Sequence, residues 1–122
     1  MTLDDVTDGL VCNVKSSSRG RFEPSGGGVV VTRDAGIDLW TKMTQLPHAG
    51  QMRCHTPRYG ISLSHHGGYY WFATICWKCN NIFISCDGSA SHQEFDGQSP
   101  EAQQLLADIR ALVGDDDSAG EP

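Results

Sequence analysis

The stretch Tyr69–Ser85, Tyr-Tyr-Trp-Phe-Ala-Thr-Ile-Cys-Trp-Lys-Cys-Asn-Asn-Ile-Phe-Ile-Ser, most constrains what this chain can become. β-branched and aromatic residues fill both parities of its first half. Successive side chains of a strand point to opposite sides, so such a segment reads as a strand covered on both faces. Gly67-Gly68 before it supplies the positive φ of a tight hairpin. Tyr59–Ser64 returns alongside, with Ile61 and Leu63 on one face and serines on the other. After Cys79-Asn80-Asn81 the chain reverses again, because Asn tolerates left-handed backbone, and Ile82–Ser85 forms the next strand. Asp87-Gly88-Ser89 reads as a further turn, and His92–Asp96 as a short edge strand.

Two helices flank this meander. Ile37, Trp40, Met43 and Leu46 recur at three-residue steps, with Asp34 or Gly36 placed to cap the start and Pro47 to stop the end. Ser99-Pro100-Glu101 is an N-cap, a first-turn proline and an early acid. Ala102, Leu105, Leu106, Ile109, Leu112 and Val113 then form one apolar stripe that ends at Gly114. Val29–Thr32 reads as a strand by β-branching. The expected fold is α+β: an antiparallel sheet of four to five strands, its meander at 57–86, with a central and a C-terminal helix packed on it. Residues 1–28 show little periodicity and read as a poorly structured segment with a possible short strand at Leu10–Val14. Residues 29–114 form the single domain, and 115–122 an acidic, disordered tail.

Charge excludes some functions. Net charge is −6, and residues 61–122 carry two Lys/Arg against nine Asp/Glu. Without a basic cluster, nucleic acid is not an expected partner, since phosphate contacts supply most of that affinity. The N-terminus has no signal-peptide pattern, and no apolar run reaches the ~20 residues of a membrane span. The expected location is cytoplasmic, where five cysteines stay reduced unless a metal or a redox cycle claims them.

Those cysteines carry the sharpest chemistry. If Gly67-Gly68 is a two-residue loop, His66 pairs with Tyr69, and Cys79 falls opposite Thr56, beside Cys54 and His55. Cys86 falls near Thr74 and Ile75, next to Cys76. A Cys-x-x-Cys with two further ligands is the usual basis of tetrahedral zinc, which makes Cys54, His55, Cys76 and Cys79 a ligand set, with Cys86 as substitute. The same pair could be a redox site, but no helix start or cation cluster follows it to stabilise a thiolate. A cysteine nucleophile with His55 as base lacks an orienting carboxylate nearby in sequence. Against all of these, buried cysteines pack as small apolar residues. His65-His66 reads as an exposed hairpin tip, Glu94 and Asp96 as a solvated edge, and Gly26-Gly27-Gly28, which precedes a strand, not as a phosphate loop.

The segments Met52–Gly60, Cys76–Asn81 and Glu94–Gln103 resemble a group of small uncharacterised bacterial proteins. The shared pattern is Cys-His-x-Pro-x-x-Gly, then Cys-x-x-Cys-Asn-Asn, then Phe-Asp before Ser-Pro. The resemblance spans about residues 37–113, implies a bacterial source, and groups Cys54, His55, Cys76 and Cys79 as one constellation. Lacking a complete catalytic set, the chain reads as a non-enzymatic binding or interaction domain of immunity or accessory type, with a protein partner. A structural zinc domain is the alternative and a thiol oxidoreductase the third reading.

Overall fold

A computed structural model describes residues 2–16, 22–49 and 55–114. After a short 3-10 turn at Leu3–Asp5 come β1 (Val6–Ser16), β2 (Phe22–Thr32), α1 (Arg33–Thr44), β3 (Tyr59–His65), β4 (Tyr70–Cys76), β5 (Asn81–Cys86), β6 (Ser89–Glu94) and α2 (Pro100–Val113). The described strands form one sheet, ordered β2-β1-β3-β4-β5-β6, and every neighbouring pair is antiparallel. The α+β class holds, but the sheet has six strands among the described residues rather than four or five.

The added strand, β1, lies where only a short stretch at Leu10–Val14 is expected, and β2 starts at Phe22 rather than at the expected Val29. β1 sits in the sheet interior between β2 and β3, and Val6, Val11 and Cys12 are buried, so the domain begins well before residue 29. Weak periodicity there has a physical cause. Pairing between β1 and β2 jumps from Val11↔Val29 to Asn13↔Ser25, so Gly26-Gly27-Gly28 bulges opposite Cys12. A bulge breaks the period-2 pattern by which strands are recognised. Gly26 and Gly28 have φ of 82° and 69°. The acidic tail at 115–122 lies outside the described residues.

The meander forms where expected, with its register shifted by one. The His65 N–H donates to the Tyr69 carbonyl at 2.8 Å, so His66-Gly67-Gly68 is a three-residue loop and His65, not His66, faces Tyr69. A one-residue slip exchanges the faces of a strand. His65 shares the parity of Ile61 and Leu63 and is buried at 3% exposure with its ring 4.3 Å from Trp71, while His66 is exposed at the tip.

Both helices pack on one face of this sheet. α1 is capped by Thr32, whose hydroxyl accepts from the Ala35 N–H at 3.2 Å, earlier in the chain than Asp34 or Gly36 would place it. It buries Leu39, Trp40 and Met43 against Val11, Val31, Ile61 and Leu63. α2 follows its expected bounds, with Ser99 accepting from Ala102 N–H and Gly114 at φ 76° closing it. Its Leu105, Leu106 and Ile109 complete the same core. The inward side chains of the meander are Tyr59, Ile61 and Leu63, then Ala73 and Ile75, then Ile82, all at most 2% exposed.

The bulge gives a direct test of whether the N-terminal strands belong to the fold. A Cβ on Gly28 would sit 2.9 Å from the Val11 carbonyl oxygen in left-handed backbone. Gly28→Ala is therefore expected to destabilise the domain by about 1–3 kcal/mol in urea unfolding. An unchanged midpoint would mean that β1 and β2 are not integral.

Candidate functional site

The face of the sheet turned away from the helices carries the candidate site. The even-numbered residues of β4 and the odd-numbered residues of β5 point there, including Phe72, Thr74, Cys76, Asn81 and Phe83. No described helix covers them, yet Thr74, Cys76 and Asn81 are buried. The cover is the segment entering β3. The imidazole of His55 lies flat on Phe83, with centroids 3.8 Å apart and planes at 6°, and Phe22 of β2 meets it edge-on at 5.3 Å.

Both ring nitrogens of His55 are engaged. Asn81 Oδ1 lies 2.5 Å from Nδ1 and, as a carbonyl oxygen, accepts, which assigns the proton to Nδ1. Nε2 then accepts from the Thr74 hydroxyl at 2.8 Å. Burial holds the imidazole pKa below its ordinary value, opposed by the Asn81 hydrogen bond, so the neutral ring is favoured. Thr74–His55–Asn81 thus has the order of nucleophile, base and orienting group. Among the described residues no oxyanion site faces the Thr74 hydroxyl. Thr74 is 5% exposed, and β4 is paired on both sides, opposite Gly60 and Phe83, so its backbone N–H groups serve the ladders. Both described α-helices lie on the other face. The chain of hydrogen bonds acts as a clamp that seats residue 55 on the sheet and satisfies two buried polar groups at once.

The Cys-x-x-Cys occupies the turn at residues 77–80, which brings its sulfurs together. The Cys79 N–H donates to Cys76 Sγ at 3.1 Å, and Thr56 Oγ1 is 3.8 Å from each of the two sulfurs. Cys76 is a free thiol, whereas Cys79 is disulfide-bonded. Asn80, at φ 56°, ties this turn to the start of α2: its carbonyl accepts from Phe95 N–H and its side chain from Gly97 N–H. Trp77 adds an indole N–H bond to the Ala102 carbonyl at 3.0 Å. The motif therefore builds a corner of the core.

The expected ligand set is only partly assembled. His55, Cys76 and Cys79 share one neighbourhood, and Cys54 lies outside the described residues. Cys86 is no substitute ligand. It pairs with Trp71 rather than near Ile75, on the opposite face of the sheet and five positions from the Cys76 partner Asn81, a strand length of about 16 Å. Among the described residues no group of three or more His, Cys, Asp or Glu is arranged to hold a metal ion. Glu94 and Asp96 are not a strand-face pair either. β6 ends at Glu94, and Asp96 belongs to the turn before α2, where its side chain accepts from Gln98 N–H.

Sequence reasoning missed Thr74, Asn81 and Phe22 as the surroundings of His55. Asn81 reads as a turn residue, and Phe22 stands in the segment without periodicity. It also passed over Cys12, buried on this face beside the Gly60 carbonyl, whose thiol burial pushes up to about 11. Such a thiol is unreactive at neutral pH.

His55→Ala is expected to cost about 2–4 kcal/mol, because it leaves Thr74 and Asn81 without their shared partner. The pH dependence has a definite sign. A histidine whose folded pKa lies below its ordinary 6.5 binds its proton more weakly in the folded chain. Its contribution is whole above pH 6.5 and is lost as pH falls from there toward the folded value. Parallel unfolding of wild type and variant across that range should show the gap narrowing on acidification. A gap that widens below pH 6.5 would contradict the clamp. Compared with known protein families, curated proteins and solved structures, the chain matches none.

Proposed function

We propose that the protein is a non-enzymatic interaction domain, of immunity or accessory type, that meets a protein partner through its helix-free sheet face. One observation carries this reading. Val30, Tyr70 and Phe83 are exposed at 70%, 65% and 44%, and their strand positions direct all three to that face. Large apolar side chains scattered singly need no explanation, but several on one uncovered face mark an interaction surface. Around them, Phe22, Phe72, Thr74, Phe83 and Ala90 line a groove of about 310 Å³. The His55 clamp holds its floor rigid, which lowers the entropic cost of binding. No described helix is long and apolar enough to cross a membrane.

The alternative is a structural zinc domain using Cys54, His55, Cys76 and Cys79. The turn that gathers Cys76 and Cys79 around Thr56 supports it. It requires Cys79 as a thiolate and His55 released from one of its partners. Near-stoichiometric zinc in reduced, untagged protein would favour it.

A photo-crosslinking residue at Tyr70, introduced in the native host, tests the leading reading. A discrete protein adduct is expected there, and none from the same group at Ala107 on exposed helix surface. Equal labelling at both sites, or turnover of a substrate that depends on His55, would overturn it.

A further inference from the structure

The make-up of the face turned away from the helices narrows the kind of partner it fits. Opposed residues on adjacent strands share a face, so a row of side chains can be followed across the sheet. The row Val30–Leu10–Ser62–Phe72–Ser85–Ala90 crosses all six described strands. The next row runs Cys12–Gly60–Thr74–Phe83–His92. Neither holds an Asp, Glu, Lys or Arg, in a chain with 9 Lys/Arg and 15 Asp/Glu. Asp8, in the row of Ser64 and Tyr70, and Glu94, opposite Asn81, stand at the two ends of the face. An uncharged, partly aromatic centre with charge at its margin is the anatomy of an interface core and rim.

Charge and shape together select the occupant. The uncharged centre offers a charged partner nothing to pair with. A copy of the same chain brings no like charges into it, although the net charge is −6. Exposed Tyr70 stands two residues along β4 from Phe72, which lines the groove with Thr74 and Ala90. That step is about 7 Å. Consider two copies face to face, related by a two-fold axis that lies between the sheets and crosses β4 between Tyr70 and the groove. Each would lay its Tyr70 over the Phe72 and Thr74 side of the other's groove, a self-complementary contact. The axis runs across the strands, so the sheets stack with strands aligned, as β-sheets do about 10 Å apart.

The area is sufficient. From the Tyr70 row to the Asn81 row, across six strands, the face measures roughly 20 by 24 Å. Two copies would cover about 1,000 Å² together, the least that a specific interface needs. We infer that this face is the interface of a homodimer, in which the partner is a second copy of this chain stacked sheet on sheet. The inference rests on the interaction reading above and specifies the partner. An interface of this size holds the pair weakly, with dissociation in the micromolar range.

Sedimentation equilibrium of the full-length chain from about 1 μM to about 1 mM tests it. A monomer–dimer equilibrium is expected, undiminished in about 1 M salt because no charge pair holds it. Tyr70→Asp sets a charge against the apolar groove and should weaken dimerisation at least about tenfold. Ala107→Asp, on exposed helix surface, should leave it unchanged. In a mixture of labelled and unlabelled wild-type chains, the Tyr70 ring of one copy should show contacts with Phe72 of the other, which decides the matter even if a variant fails to fold. A chain that stays monomeric to about 1 mM, a dimer indifferent to Tyr70→Asp, or intermolecular contacts made by the helices would overturn the inference. The Tyr70 crosslink separates it from the reading beneath it. An adduct with a different protein on a monomeric chain rejects the homodimer alone, and a monomeric chain without any adduct rejects both.

Discussion

Everything in this structure follows from a sheet with both described α-helices on one side. Both helices descend on the face formed by Val11, Ile61, Ala73, Ile75 and Ile82. Side chains alternate across a strand, so the other half of every strand is left to find its own cover. α1 can lie close to β1 because Gly36 faces Gly9: a Cβ on Gly36 would be 3.3 Å from the Gly9 Cα. That close seat draws the N-terminal strand into the interior of the sheet and commits the remaining apolar residues to the opposite side.

On that opposite side the chain solves a local problem. Thr74 and Asn81 are buried polar groups on a face without a helix, and a buried polar group left unpaired is costly. One neutral imidazole serves both, donating to Asn81 and accepting from Thr74, while its faces and edges contact Phe83 and Phe22. The arrangement imitates a catalytic relay in its order of groups. Its place in the middle of a doubly paired sheet lets it seat residue 55 on that face. The same face leaves Tyr70 and Val30 largely in solvent and Phe83 partly so.

Much of this was legible in the sequence. The apolar stripe from Ala102 to Val113, with Ser99 and Gly114 at its ends, specifies α2 without ambiguity, because caps and periodicity agree. The meander is equally clear from its β-branched runs and turn glycines. Register was less so: Gly67-Gly68 reads as a two-residue loop, and only the His65–Tyr69 hydrogen bond shows that the loop has three residues. Of the N-terminal strands only Val29–Thr32 and a short stretch at Leu10–Val14 could be read, because the glycine bulge and polar residues such as Asn13 and Lys15 erase the alternation of the rest. At the candidate site, the neighbourhood of His55, Cys76 and Cys79 could be foreseen from the hairpins. The partners of His55 could not, since Thr74 and Asn81 reach it only through strand pairing. Cys86 was misplaced for the same reason, as its distance from Cys76 depends on where the second turn closes.

The central claim, a sheet with its described helices on one face and large apolar side chains exposed on the other, is best tested by adding a soluble paramagnetic chelate and measuring relaxation of neighbouring side chains. Val30, Tyr70 and Phe83 should broaden strongly, while Val31 and Ile82, one residue away along the same strands, should be spared. Equal broadening of both members of these adjacent pairs, or protection of Val30 and Phe83 in monomeric protein, would contradict the account.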